Sequence, residues 1–331
     1  MSIQQLIAED GLLNEDGLVV QLFFIQRRTK KVNKVQTFTY DVKKTDSSDK
    51  LNKFFIKSLK TQICKVVGRP DVKFEDYKVI ADDSPNVVHK YPDANAMKVA
   101  PSVWGIIDAG AAENIKSLHD VKDKLWAYCV KFSKGNKSVL AFRKTAPTKI
   151  ATDEAQTSGE KFVAWFDSDD ARLVEVKLES ISFDNKADCV LLDNTFYIFG
   201  KGAFEKIVSL EDEFVENANA VVAEMTQQDI LEGIELLQEE ISAKPSLMRM
   251  VANIARKQNH TGIGQLEIEN MKNVLHTFEK KELKFTADGK ILIENKDDVE
   301  NFLKLLNDYH KKGMVSGKFY GSSSGHVITA Q

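Results

Sequence analysis

Apolar residues recur along this chain with two periods, and the change falls near residue 204. Before it the pattern is mostly that of strands, with one long helix. Residues 18–26, LVVQLFFIQ, predict a strand, and 37–42, TFTYDV, predict its return. Between them stand Arg27, Arg28, Lys30, Lys31 and Lys34, so the pattern reads as a hairpin with a basic tip. Ser47-Ser48-Asp49 then offers caps for a helix whose face carries Leu51, Phe54, Phe55, Leu59, Ile63 and Val66, and Gly68 with Pro70 ends it. The lysines on its other faces read as a solvated surface.

Residues 72–81 predict an edge strand, 82–96 a loop with two prolines, and 99–112 a short helix. A second hairpin follows, 125–133 and 137–144 around Gly135-Asn136, with Lys131, Lys134, Lys137, Arg143 and Lys144 directed outward. The polar segment 145–160 is the best candidate boundary. Strand patterns resume at 162–166 and 173–183, so one meander can run from 125 to 199. The densest apolar segment is 188–214. In it Cys189 to Leu192 and Phe196 to Phe199 flank an Asp193-Asn194 turn, and Gly200-Lys201-Gly202 leads into a helical rhythm at Phe204. Both strands are apolar at consecutive positions, which predicts a sheet covered on both faces.

Beyond 204 the spacing is helical over 203–224, 227–242, 245–258 and 265–280. Asp288-Gly289 sits between short strands, 297–307 is a helix, and 314–321 a last strand. The fold class is therefore α+β: an N-terminal and central antiparallel sheet built of hairpins, then a helical C-terminal region with a small terminal β-hairpin. Three parts are expected: 1–150, 151–225 and 226–331.

Composition alters this picture only through charge. Residues 1–150 hold 26 Lys+Arg against 17 Asp+Glu, net +9, whereas 151–331 hold 20 against 32, net −12. A basic half can meet nucleic acid or an anionic membrane face, or simply an acidic partner surface. No apolar run approaches membrane-spanning length and the N-terminus lacks a signal-peptide pattern, so a cytoplasmic protein is expected. The three cysteines, Cys64, Cys129 and Cys189, are read as buried free thiols.

Catalytic motifs are wanting. Gly200-Lys201-Gly202 lacks Walker spacing, and Gly262-Ile263-Gly264 lies between helices. No two of the six histidines share metal spacing, though His89 and His260 fall in loops. Asp167, Asp169 and Asp170 followed by Glu175 and Lys177 loosely match a metal-dependent nuclease, which is the enzyme alternative. No catalytic residue, metal or cofactor is assigned, and the expectation leans away from an enzyme. The positive signal is the basic set Arg27, Arg28, Lys30, Lys31, Lys34, Lys134, Lys137, Arg143 and Lys144. It predicts DNA contact through phosphates with little base readout.

The segment 188–214, with its strand, acidic turn, YIF strand and FEKI helix start, resembles the core of the B component of the Kiwa anti-phage defence system. The upstream hairpin WAYCVKFSKGNKSVLAFRK and the helices after 214 stand in the matching order, so the resemblance covers about 125–243. It implies a dimer that binds DNA and docks on a small integral-membrane partner subunit at the cytoplasmic face. It carries over no active-site residue. Because the whole chain is acidic, any DNA site must be a local groove. The remaining alternative is a dimeric interaction subunit that does not bind DNA.

Overall fold

A computed structural model describes residues 2–14, 16–32, 35–79, 86–151, 164–167, 172–175, 179–277, 283–312 and 319–321. The chain forms two compact units, 1–77 with 83–209, and 78–82 with 210–331.

The first unit is built on a nine-stranded mixed sheet. Its strands are β1 (Val19–Val32), β2 (Val35–Thr45), β3 (Lys73–Asp76), β4 (Val87–Tyr91), β5 (Glu113–Asn114), β6 (Leu125–Lys134), β7 (Lys137–Lys144), β12 (Cys189–Leu192) and β13 (Thr195–Ile198). Two-stranded ladders of β8 (Ile150–Ala151) with β11 (Ser180–Ile181), and of β9 (Ala164–Asp167) with β10 (Arg172–Glu175), lie between β7 and β12 in sequence. The order is β3-β4-β13-β12-β7-β6-β1-β2-β5. Pairing is antiparallel except at the two margins, where β3 runs parallel to β4 and β5 to β2. Because β7 pairs directly with β12, the meander does continue across the intervening segment. Asp193 and Asn194 take φ of 45° and 62°, the left-handed pair that a two-residue turn needs to match strand twist.

Both faces of the sheet are covered, which explains the unbroken apolar runs. On one face α1 (Asp49–Val67), capped by Ser48, sets Phe55, Leu59 and Ile63 against Leu22, Phe24, Tyr128 and Val130. On the other, α2 (Trp104–Asp108) brings Trp104 to 5.2 Å from the Phe196 ring, and α4 (Lys201–Val208) adds Phe204, also 5.2 Å from Phe196. Between α2 and β6 lies the short α3 (His119–Lys122).

Three expectations need correction. The 82–96 loop contains β4, since its run VVHKY pairs with β13 despite the flanking prolines. The single helix expected over 203–224 is two, α4 and α5 (Glu211–Gln227), broken where Ser209 adopts φ 52° and its hydroxyl meets that of Tyr40. Cys64 is exposed on the outer side of α1, whereas burial pushes the thiols of Cys129 and Cys189 well above their usual range.

The second unit packs α5, α6 (Ile234–Ala243), α7 (Pro245–Lys257), α8 (Gln265–Thr277) and α9 (Lys296–Leu306) around Leu237, Ile241, Val251, Ile254, Phe302 and Leu303. A three-stranded sheet joins β14 (Leu231–Glu232) to β16 (Ile291–Leu292), and β16 to β15 (Lys284–Phe285). Gly289, at φ 88°, turns the expected hairpin. The last ladder pairs β17 (His310–Lys312) with β18 (Phe319–Gly321). Among the described residues no helix is long and apolar enough to cross a membrane.

Candidate nucleic-acid interface

The register of β1 decides where its basic residues lie. β1 stays paired with β2 out to Val32 opposite Val35, so Arg27, Arg28, Lys30 and Lys31 belong to a strand and not to a connection. The sequence pattern missed this because charged residues hide the strand's continuation once one neighbour is lost. β6 begins at Leu125 opposite Gln26, and beyond that row β1 and β2 form a two-stranded arm. Alternation puts Arg28 and Lys30 on one side of the arm, both exposed, and Arg27 on the other. Lys31 is described by its backbone alone, and Lys34 lies outside the described residues.

At the root of the arm the β1–β6 register slips. Ile25 faces Ala127 and Gln26 faces Leu125, which leaves Trp126 as the extra residue of a bulge. Bulges re-aim a side chain out of the ladder. The Trp126 indole N–H donates to the carbonyl of Lys206 at 2.9 Å, which fixes the ring. The Arg27 guanidinium lies 3.2 Å from the centroid of Trp126 and 4.2 Å from that of Phe38, and Lys144 Nζ lies 3.7 Å from Trp126. Two cations thus share one aromatic ring, each contact worth on the order of 0.5–2 kcal/mol. Burial, then the charges of Arg27 and Lys206, lower Lys144 to about 8, against a weaker opposing pull from Asp188. An anion bound beside this corner would favour the protonated lysine.

Other members of the basic set are placed differently. Arg143 projects to the opposite face and grips Asp184 at 2.9 Å and Asp188 at 2.5 Å, so its charge is spent within the fold. Asp188 also accepts the Lys144 amide at 2.6 Å. Burial raises the Asp188 carboxyl, while the Arg143 guanidinium lowers that of Asp184. Lys134 and Lys137 face each other at the far end of β6 and β7, and Lys134 Nζ donates to the Asp16 carbonyl at 2.6 Å. Seven residues of strand separate Lys137 from Lys144, about 23 Å. The structure therefore gathers Arg27 with Lys144, and leaves Lys134 and Lys137 as a separate pair. Sequence reasoning missed Phe38, Trp126 and Lys206. The one signal for them was a tryptophan inside an otherwise regular strand.

Of the nuclease alternative, Asp169, Asp170 and Lys177 lie outside the described residues. The backbone sets Asp167 opposite Arg172 and Glu175 opposite Ala164, at opposite ends of one ladder. Among the described residues no group of three or more His, Cys, Asp or Glu is placed to hold a metal ion. His89 is a buried β4 residue, and His260 is buried with Nε2 2.8 Å from the Glu224 carboxylate.

Fold and site together define an α+β protein whose distinctive surface is cationic and aromatic. The family model described as "Kiwa protein KwaB-like" matches residues 122–315, and the chain belongs to that family. It is thereby a component of a Kiwa anti-phage defence system, which works with other subunits. The match takes in β6, β7, the 188–214 segment and most of the second unit. No curated protein matches the chain. No solved structure matches it either.

Proposed function

We propose that this Kiwa component binds duplex DNA through backbone phosphates, without base readout. Arg27 and Lys144, supported by Lys206, contact one stretch of backbone. Arg28 and Lys30 on the arm extend the contact, with Lys31 and Lys34 beyond them, and Lys134 and Lys137 reach a more distant phosphate. Arg143 acts through its carboxylate pairs and positions β7 instead. The observation that carries the reading is the seating of Arg27 and Lys144 on the Trp126 ring, where burial and then the charges of Arg27 and Lys206 depress Lys144, a depression that a bound phosphate would oppose. A homodimer docked on a small integral-membrane partner subunit at the cytoplasmic face would present two such corners to one duplex.

The test is a mobility-shift titration of the full chain with duplex DNA across salt concentration. Each phosphate contact contributes about 0.9 to the slope of log affinity against log salt. The Arg27→Ala/Lys144→Ala variant should lower both affinity at low salt and that slope. Absence of duplex binding at about 50 mM salt overturns the reading.

A further inference from the structure

The other face of the first unit holds a second cation-lined feature that uses none of these residues. A groove of about 810 Å³ runs beside α1. One wall is a stripe of that helix at three-to-four spacing, Phe54, Lys57, Thr61 and Lys65, with Arg69 just past the helix end. The opposite wall includes Lys186 and Phe199. From Phe54 to Lys65 the stripe is about 16 Å long at 1.5 Å per residue. Among the described residues lining the groove are four cations, Lys57, Lys65, Arg69 and Lys186, and no carboxylate. Gln62 fixes the floor by exchanging two hydrogen bonds with the Ala187 backbone, at 2.7 and 2.8 Å. Phe54 is 37% exposed, unusual for a phenylalanine on a helix that otherwise turns its large apolar side chains inward.

We propose that this groove binds single-stranded nucleic acid, with phosphates on Lys57, Lys65, Arg69 and Lys186 and a base stacked on Phe54. A positive trough with an aromatic platform is what a single strand requires, because its bases have free faces. In a duplex those faces are covered by neighbouring pairs, so Phe54 would have nothing to receive. A bilayer surface is planar and suits a convex, apolar contact, which a polar trough does not offer. The site is separate from the Arg27–Lys144 corner, so either can hold without the other.

The experiment is fluorescence anisotropy of the full chain with a labelled oligothymidylate of about 20 nucleotides, with duplex DNA and anionic vesicles as further arms. Phe54→Ala should weaken oligothymidylate binding roughly tenfold and leave the salt slope and duplex affinity unchanged, while Phe54→Tyr, which keeps the ring, should restore it. Lys57→Gln with Lys65→Gln should lower the single-strand salt slope by about 1.4. The proposal is overturned if these variants bind the oligonucleotide like the parent. It is equally overturned if Phe54→Ala weakens duplex and single strand alike, or if only vesicle binding responds. Loss of duplex binding confined to the Arg27→Ala/Lys144→Ala variant would bear on the duplex site alone.

Discussion

Removing the carboxylate of Asp188 should cost the first unit about 2–3 kcal/mol. The side chain is buried and accepts from Arg143 Nη1 at 2.5 Å and from the Lys144 amide at 2.6 Å. In Asp188→Ala the Lys144 amide is left without its acceptor, which costs about 1–3 kcal/mol. Arg143 keeps Asp184, and its side chain is a quarter exposed, so its own loss is held to about 0–1 kcal/mol by solvent screening. Asp188→Asn retains an acceptor and should cost about 1 kcal/mol. Arg143→Ala has a different signature. It strands Asp188, whose carboxyl burial already raises, and it releases Asp184, whose carboxyl the guanidinium lowers. A raised carboxyl contributes stability below its unfolded value that is lost as pH rises through the folded one. A lowered one contributes stability above the unfolded value that is lost in acid. Both changes make the Arg143→Ala penalty larger at neutral pH than in acid. Urea unfolding followed by tryptophan fluorescence measures this directly, because Trp104, Trp126 and Trp165 all belong to the first unit. An Asp188→Ala variant within about 0.5 kcal/mol of the parent at unchanged m, or an Arg143→Ala penalty as large in acid as at neutrality, refutes the reasoning.

Other expectations are briefer. Trp126→Ala should weaken duplex binding by a few-fold in mobility-shift assays, since it removes the ring that holds Arg27 and Lys144 about 4 Å or less from its centre. Gly233 has φ 89° and a Cβ there would collide with the Ile293 carbonyl, so Gly233→Ala should destabilise the second unit by more than about 1 kcal/mol in thermal unfolding. Asn295 caps α9 by accepting from the Asp297 and Asp298 amides within a capping box, and Asn295→Ala should cost about 1–2 kcal/mol in the same experiment.

The strands were legible in the sequence wherever a short apolar run met a turn with its own chemistry. The Asp193-Asn194 and Asp288-Gly289 hairpins are instances, and the reach of the meander from β6 to β13 follows from the same signals. The strand β4 escaped because Pro85 and Pro92 bracket only six residues, and the five in the strand are too few to show a period. The arm of β1 escaped because pairing on one side alone tolerates charge at every position, so hydrophobicity no longer marks the strand. The break at Ser209 was hidden because the apolar rhythm continues through it, and only a left-handed φ reveals the stop. For the site, charge was readable but register was not. A one-residue bulge at Trp126 brings Arg27 to Lys144, whereas alternation sends the neighbouring Arg143 to the opposite face and into two carboxylates.

These facts tie the apolar family segment to the cationic corner through one residue. Asp188 opens the segment, its carbonyl accepts the amides of Phe199 and Gly200, and its carboxylate holds the amide of Lys144. Its charge also opposes the depression of Lys144 caused by burial, Arg27 and Lys206. If Lys144 contacts phosphate, duplex affinity at fixed salt should fall as pH rises through about 8, because the lysine loses its proton there. A bound phosphate favours the charged lysine, so the midpoint in the complex should lie somewhat higher. Asp188→Asn removes the opposing charge, lowers Lys144 further and should move that midpoint downward. Lys144→Arg, which stays protonated throughout, should remove the pH dependence while keeping affinity at neutral pH. A pH profile unchanged in Lys144→Arg would show that another group titrates. A profile unmoved by Asp188→Asn would show that the family segment supports the sheet without setting the charge of the corner beside it.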